Sequence, residues 1–183
     1  EFEVFDLPYI FDGYDGLRKV TLGPVGQQLL GKLEAKGIKG LTYWDNGFKS
    51  FSANNPILMP ADLKGKKLRI QSCKVLEGRM RALGALPQVM AFSEVYQALQ
   101  TGVVDGTENP IANLYTQKMH EVQKHLSLTE HGYLGYAVIV NKKFWEGLPA
   151  EVRKQLEDAM EQATRYANQI AKVENDNALE MVG

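Results

Sequence analysis

An arginine sits inside the apolar run Leu68-Arg69-Ile70-Gln71. A permanently charged, fork-shaped donor is costly there unless an anion or an acidic partner meets it. A guanidinium presents two parallel N–H donors to a carboxylate and fixes both its position and its plane. Two readings stay open at this point: Arg69 receives the carboxylate of a ligand, or it is bridged internally by Glu94, Asp105 or Glu108. Asn109 directly precedes Pro110, where a helix N-cap is expected, so its side chain would accept a backbone N–H. The same place lies beside the positive end of a helix dipole, which favours an anion. Phe92, Trp44 and Tyr133 could each offer a ring to a ligand, although such residues are more often plain core.

Enzyme signatures fit less well. The segment His120-Glu121-Val122-Gln123-Lys124-His125 resembles the zinc-protease pattern H-E-x-x-H with one residue too many. Five helical steps turn the two imidazoles about 140° apart, so these read as surface histidines. Cys73 has no nucleophile-elbow glycines around it and reads as a small buried thiol. Asp105 and Glu108 could form an acid–base pair with His131, but Asp105-Gly106 is also ordinary turn chemistry. No G-x-G-x-x-G or Walker motif occurs, and no metal or cofactor is expected.

The 183 residues carry a net charge of −1, with 44% hydrophobic and 23% charged residues. That balance provides no footprint for nucleic acid, and the local cluster Lys64, Lys66, Lys67 reads as a solvated turn before a strand. A single cysteine excludes an intramolecular disulfide. No run of about 18 apolar residues suggests a membrane span, and no secretory leader is present. The chain starts at Glu1 rather than Met and reads as the middle of a longer protein.

The elements that must position these residues alternate between strands and helices. The opening Phe2-Glu3-Val4-Phe5 looks like a strand. Gly23-Pro24 starts a helix that ends at Gly37, 38–44 reads as a buried strand, and 45–62 as loop with at most one short strand. Residues 68–71 form a strand, 72–83 a helix, 89–92 a short strand, and Ser93 caps a helix that stops at Gly102. Another helix follows Pro110, and 126–129 and 133–140 are the last strands. The alternation predicts an α/β fold with a mainly parallel sheet. From Pro149 onward Val152, Leu156, Ala159, Met160, Ala163, Ala167, Ile170 and Val173 form one apolar stripe on a helix of about 45–50 Å. A helix that long either crosses two lobes or packs on a second chain, which leaves monomer or dimer open and admits a self-association module.

With these residues laid out, the chain resembles the solute-binding proteins of TRAP transporters (tripartite ATP-independent periplasmic transporters), of the type that handles dicarboxylates and related organic acids. The resemblance rests on Phe5-Asp6-Leu7-Pro8-Tyr9-Ile10-Phe11, Trp44-Asp45-Asn46-Gly47-Phe48, Asp62-Leu63-Lys64-Gly65-Lys66-Lys67-Leu68-Arg69-Ile70-Gln71, Ala91-Phe92-Ser93-Glu94-Val95-Tyr96-Gln97-Ala98-Leu99-Gln100-Thr101-Gly102, Asp105-Gly106-Thr107-Glu108-Asn109-Pro110 and His131-Gly132-Tyr133-Leu134-Gly135-Tyr136. It implies a periplasmic-binding-protein-like α/β fold of two lobes with a long lobe-spanning helix: 1–45 a partial first lobe, 46–140 the second, 141–183 the bracing helical segment. It further implies that Arg69 pairs with a ligand carboxylate, Asn109 donates to the same group, and Phe92 packs beside them. Relatives often carry a second arginine at the place of Lys49, which keeps the charge without the planar fork. His131 matches a position that lines or hydrates the pocket, and it also admits a structural role. The implied function is a non-enzymatic periplasmic receptor, exported by a signal peptide in its precursor, that delivers a small organic acid to TRAP membrane subunits.

Overall fold

The computed structural model describes residues 2–182. The chain divides into two compact units that are interleaved in sequence, so they do not follow one another as consecutive blocks. Unit 1 comprises Phe11–Asn46 and Gly135–Val173; unit 2 comprises Phe2–Ile10, Gly47–Leu134 and a last stretch from Glu174.

Unit 1 contains helices α1 (Tyr14–Thr21), α2 (Pro24–Gly31) and α6 (Lys142–Gly147), the first part of strand β1 (Ile38–Ala53), the end of strand β5 (His125–Asn141) and most of helix α7 (Ala150–Val182). Pro24 stands at the first turn of α2, where its missing N–H costs nothing, and Gly37 at φ 74° ends the 3-10 turn that follows. The 33-residue α7 confirms the long helix, but only part of the apolar stripe is covered, with Met160, Ala167 and Ile170 half-buried. Val152, Leu156 and Val173 are exposed, whereas Thr164 and Asn168 are buried. Asn168 accepts from the backbone N–H of Asp45 at 2.8 Å and donates to the Tyr43 carbonyl at 3.3 Å, while Trp44 Nε1 donates to Thr164 Oγ1 at 3.0 Å. Hydrogen bonds to β1 therefore set the rotation of this helix.

Unit 2 is built on a mixed sheet whose strand order among the described residues is β3-β2-β4-β1-β5. Strands β2 (Lys67–Ile70), β3 (Leu86–Val89) and β4 (Gly106–Asn109) are mutually parallel through β2, and β4 runs antiparallel to β1. Helix α3 (Lys74–Ala82) returns from β2 to β3, α4 (Val95–Gln100) from β3 to β4, and α5 (Ile111–Thr116) follows β4. Registers Arg69↔Thr107 and Ser52↔Thr107 fix which side chains share a face. Leu68, Ile70, Phe51 and Ala53 point to one face and pack with Leu76 and Met80 of α3. On the other face Val95, Leu99, Val104, Leu114 and Met119 form a second cluster.

Several local expectations are corrected. Phe2–Asp6 is a 3-10 turn, not a strand; Glu3 accepts from the backbone N–H of Lys74 at the start of α3, so side-chain contacts replace strand pairing. Strand β1 continues through the polar stretch to Ala53, because Lys49, Ser50 and Ser52 turn inward where partners exist for Lys49 and Ser50. β5 is one strand, with Glu130 at φ 44° in its middle. Ser93 does not cap α4; the backbone N–H of Ala91 instead donates to the Glu94 carboxylate at 3.2 Å across a 3-10 turn.

Candidate functional site

Arg69, Asn109 and Phe92 converge in unit 2 on the face away from α3. Arg69 is 5% exposed, and its Nε and Nη2 both donate to the carbonyl of Met90, at 3.2 and 3.0 Å. One edge of the fork is thereby fixed in place. The end-on edge, Nη1 with the second hydrogen of Nη2, has no hydrogen-bond partner among the described residues. The guanidinium carbon lies 5.5 Å from the Phe92 ring centroid, within cation–π range. Burial lowers its pKa and the charge of Glu108 offsets this in part; from an ordinary value above 12 the group remains a cation. No carboxylate among the described residues lies within 4 Å of Arg69, so the bridges to Glu94, Asp105 or Glu108 are not formed. Asp105 is occupied elsewhere, accepting from the backbone N–H of Lys67 at 2.7 Å.

Asn109 is the last residue of β4, and Pro110, not Asn109, occupies the cap position of α5. Its side chain is directed along the sheet face, where Nδ2 donates to Thr107 Oγ1 at 3.3 Å and to Met119 Sδ at 3.9 Å. Both contacts are long and weak, so an ionised oxygen competes with them easily. Phe92 is 38% exposed, which leaves part of its ring available beside the guanidinium.

Lys49 and His131 stand on the opposite face, gathered around Glu108. Lys49 Nζ, 1% exposed as a residue, donates to Asp6 Oδ1 at 2.9 Å and to Glu108 Oε1 at 3.0 Å. Glu108 Oε2 accepts from Arg79 and lies 2.8 Å from His131 Nε2, whose Nδ1 is 2.7 Å from Thr129 Oγ1. The His131 ring stacks on Phe51 at 4.1 Å. Burial alone would raise the Glu108 pKa, but the charge of Lys49, the His131 hydrogen bond and the charge of Arg79 outweigh it and hold the carboxylate at about 2. Burial lowers the His131 pKa against the opposing pull of Glu108. A carboxylate held so firmly ionised has no proton to exchange near neutral pH.

Of the remaining candidates, Trp44 lies in unit 1 and bonds to Thr164, while Tyr133 is buried in unit 2 with its ring 5.9 Å from Phe48. His120 is half-buried against Tyr115, with ring centroids 5.2 Å apart, instead of on the surface. Cys73 is buried, 3.5 Å from Asp6 Oδ2. No group of three or more His, Cys, Asp or Glu among the described residues could hold a metal ion, and no described helix is long and apolar enough to cross a membrane. Sequence reasoning missed Arg79 and Asp6. The available signal for Arg79 was its spacing of three from Leu76, which puts it on the buried side of α3 beside Met80.

The model for bacterial extracellular solute-binding protein, family 7 (DctP) matches residues 1–183. The chain belongs to this family. It is 69% identical over 180 residues to the C4-dicarboxylate-binding periplasmic protein DctP of Rhodobacter capsulatus, covering 98% of this chain and 54% of that protein. It is 41% identical over 183 residues to the C4-dicarboxylate-binding protein DctB of Bacillus subtilis (strain 168), covering 100% and 52%. Among solved structures, a TRAP periplasmic solute binding protein from Shewanella oneidensis with bound succinate superposes with a TM-score of 0.96 at 40% identity, over 98% of this chain and 59% of that one. Its counterpart from Pseudomonas aeruginosa PAO1 with bound L-malate gives 0.95 at 37%, over 98% and 63%. The α/β fold expected from the sequence is thus shared with these TRAP periplasmic solute binding proteins. The chain spans about half the length of the curated relatives it matches.

Proposed function

We propose that the protein acts as a periplasmic solute-binding receptor that captures a small organic acid and delivers it to TRAP membrane subunits. The observation that carries this reading is Arg69: a buried cation whose hydrogen-bond acceptor among the described residues is a neutral carbonyl. Such a group lacks one negative charge, and a ligand carboxylate on its end-on edge supplies it with two charge-assisted hydrogen bonds. Asn109 Nδ2 exchanges its weak contacts for the same carboxylate, and Phe92 shields the pair from water. Lys49 and His131 hold the sheet through Glu108 in this reading and do not touch the ligand; Trp44 and Tyr133 serve as packing. Family membership and the succinate and L-malate bound by the neighbouring structures support a C4-dicarboxylate as the first ligand to test.

The protein is read as a receptor and not an enzyme. An acid–base pair of Asp105 or Glu108 with His131 is not favoured by their contacts: Glu108 is shared among Lys49, Arg79 and His131, and Asp105 accepts from the backbone of β2. Self-association through α7 would need a second copy to cover the exposed Val152, Leu156 and Val173, and no contact among the described residues points to one. Isothermal titration with succinate tests the proposal. Saturable one-to-one binding without turnover is expected; release of a product, or no binding of any acid in a panel of dicarboxylates and sugar acids, contradicts it.

A further inference from the structure

In unit 1 two short segments that lie far apart in sequence meet. The backbone N–H of Lys142, at the start of α6, donates at 2.9 Å to the carbonyl of Gly37, which ends the 3-10 turn Lys32–Lys36. Side chains tie the same junction, since Lys39 Nζ and Lys142 Nζ each donate to one oxygen of Glu34, both at 3.0 Å. Five lysines are thereby gathered, Lys32, Lys36, Lys39, Lys142 and Lys143, against the two carboxylates of Glu34 and Glu146. The whole chain carries a net charge of −1, so this positive charge is local and the remainder of the chain is net acidic.

Glu34 serves two of these lysines. Lys36 and Lys143 are exposed, and neither forms an ion pair among the described residues. Pairs as exposed as those at Glu34 add little to stability and are screened by salt. Like charges gathered this closely repel one another, a cost that an external anion removes.

Beside the lysines stands an uncovered aromatic ring. Helix α6 is anchored by Trp145, which is buried, and by its N-cap, where the Phe144 N–H donates to Asn141 Oδ1 at 3.0 Å. With Trp145 turned inward, helical steps of about 100° set Lys143 outward and Phe144 on the flank. Phe144 is 60% exposed, and Ile139, two residues before the cap, is exposed as well.

This combination narrows the partner. The exposed lysines stand at turns and helix starts, not around a cleft, so they do not enclose a single small anion. An extended array of anions meets several of them at once. A bilayer with anionic headgroups is such an array, and the boundary beneath its headgroups takes up a ring. An acidic protein segment offers the charge without the apolar layer. No described helix is long and apolar enough to cross a membrane, so the contact is one of surfaces.

We propose that the lysine cluster around Glu34, with Phe144 at its edge, docks on a bilayer that contains anionic lipid, the lysines on the headgroups and the ring at the boundary with the acyl chains. The surface lies in unit 1 and shares no residue with the Arg69 site, so membrane contact and acid binding are separate properties. Co-sedimentation with vesicles of phosphatidylcholine, alone or with about one-third phosphatidylglycerol, tests it. In about 0.05 M salt the partition coefficient is expected to be at least tenfold higher with phosphatidylglycerol, and in about 0.5 M salt to approach the value for phosphatidylcholine alone. Lys36→Glu combined with Lys143→Glu lowers binding to the anionic vesicles at least tenfold, whereas the same double reversal at the exposed Lys64 and Lys124 of unit 2 changes it less than twofold. Phe144→Ser lowers it about threefold at both salt concentrations. The urea midpoint of each variant reports its folding, and Lys36→Gln with Lys143→Gln, a milder change, lowers binding by less than the reversal does. Equal partitioning onto the two kinds of vesicle, full binding by the folded Lys36 and Lys143 variants, an equal loss on reversal at Lys64 and Lys124, or unaltered binding by Phe144→Ser would each overturn the proposal. An affinity for a polyglutamate peptide as high as that for the vesicles overturns it too, and assigns the surface to an acidic protein.

Discussion

Arg69 and Arg79 are both buried guanidinium groups in one unit, on opposite faces of one sheet, and their surroundings differ in whether a carboxylate meets the charge. Arg79 shares Glu108 with Lys49 and His131, and Asp6 completes the balance of charge. Among the described residues Arg69 meets the carbonyl of Met90 and the face of Phe92 and no carboxylate. The first arrangement is balanced in charge and serves the fold. The second is one anion short, and in the proposed function the ligand carboxylate supplies it. Burial of a cation is therefore not in itself the mark of a site; burial without a compensating carboxylate is.

Mutations that break the balanced cluster are expected to act on stability most strongly. Glu108→Ala leaves Lys49 and Arg79 without their shared anion and should cost about 3–5 kcal/mol in urea denaturation, the scale for removing one partner of a buried ion pair. Next, Arg69→Ala should weaken succinate binding by about 2–5 kcal/mol in calorimetry while leaving the urea midpoint near that of the wild type. Arg69→Lys keeps the charge but loses the fork, and should weaken binding by about 1.5–3 kcal/mol, the scale of one hydrogen bond to a charged group. Phe92→Leu, which removes a ring beside the guanidinium, is expected to cost about 0.5–2 kcal/mol of affinity.

Acid separates the two faces as well. Glu108 is held at about 2, below its ordinary value near 4.5, so its contribution to stability is complete above about 4.5 and is lost as the pH falls toward 2. His131 has a folded pKa below its ordinary 6.5; the unfolded chain takes up that proton first, so stability also declines as the pH drops below about 6.5. Urea midpoints at pH 7, 5 and 3 should fall in that order, and Glu108→Gln should flatten the lower part of the profile. A midpoint that rises on acidification contradicts the assignment of both groups.

The sequence carried much of this distinction, and its gaps have physical causes. Arg69 was legible because an arginine in a short apolar strand leaves few places to point. Its partner was not, because whether Glu94, Asp105 or Glu108 reaches it depends on strand register; Arg69↔Thr107 puts Glu108 on the other face. Asn109 was placed one element too late: the extended backbone before Pro110 continues β4 instead of turning into a cap. Lys49 looked like part of a loop because polar strands have no hydrophobic alternation, and only the buried Glu108 explains why it lies in a strand. The long helix was evident from its length, whereas its contact face was not, since Thr164 and Asn168 dock through hydrogen bonds that an apolar pattern does not reveal.

The decisive measurement is calorimetric titration of succinate into the wild-type chain and into Arg69→Ala, with the urea midpoint of each recorded alongside. The account predicts a loss of at least thirtyfold in affinity, the equivalent of about 2 kcal/mol, with a midpoint that stays in place. Equal affinity in the two proteins contradicts it, because a buried cation with no acidic partner would then have no part in holding the acid.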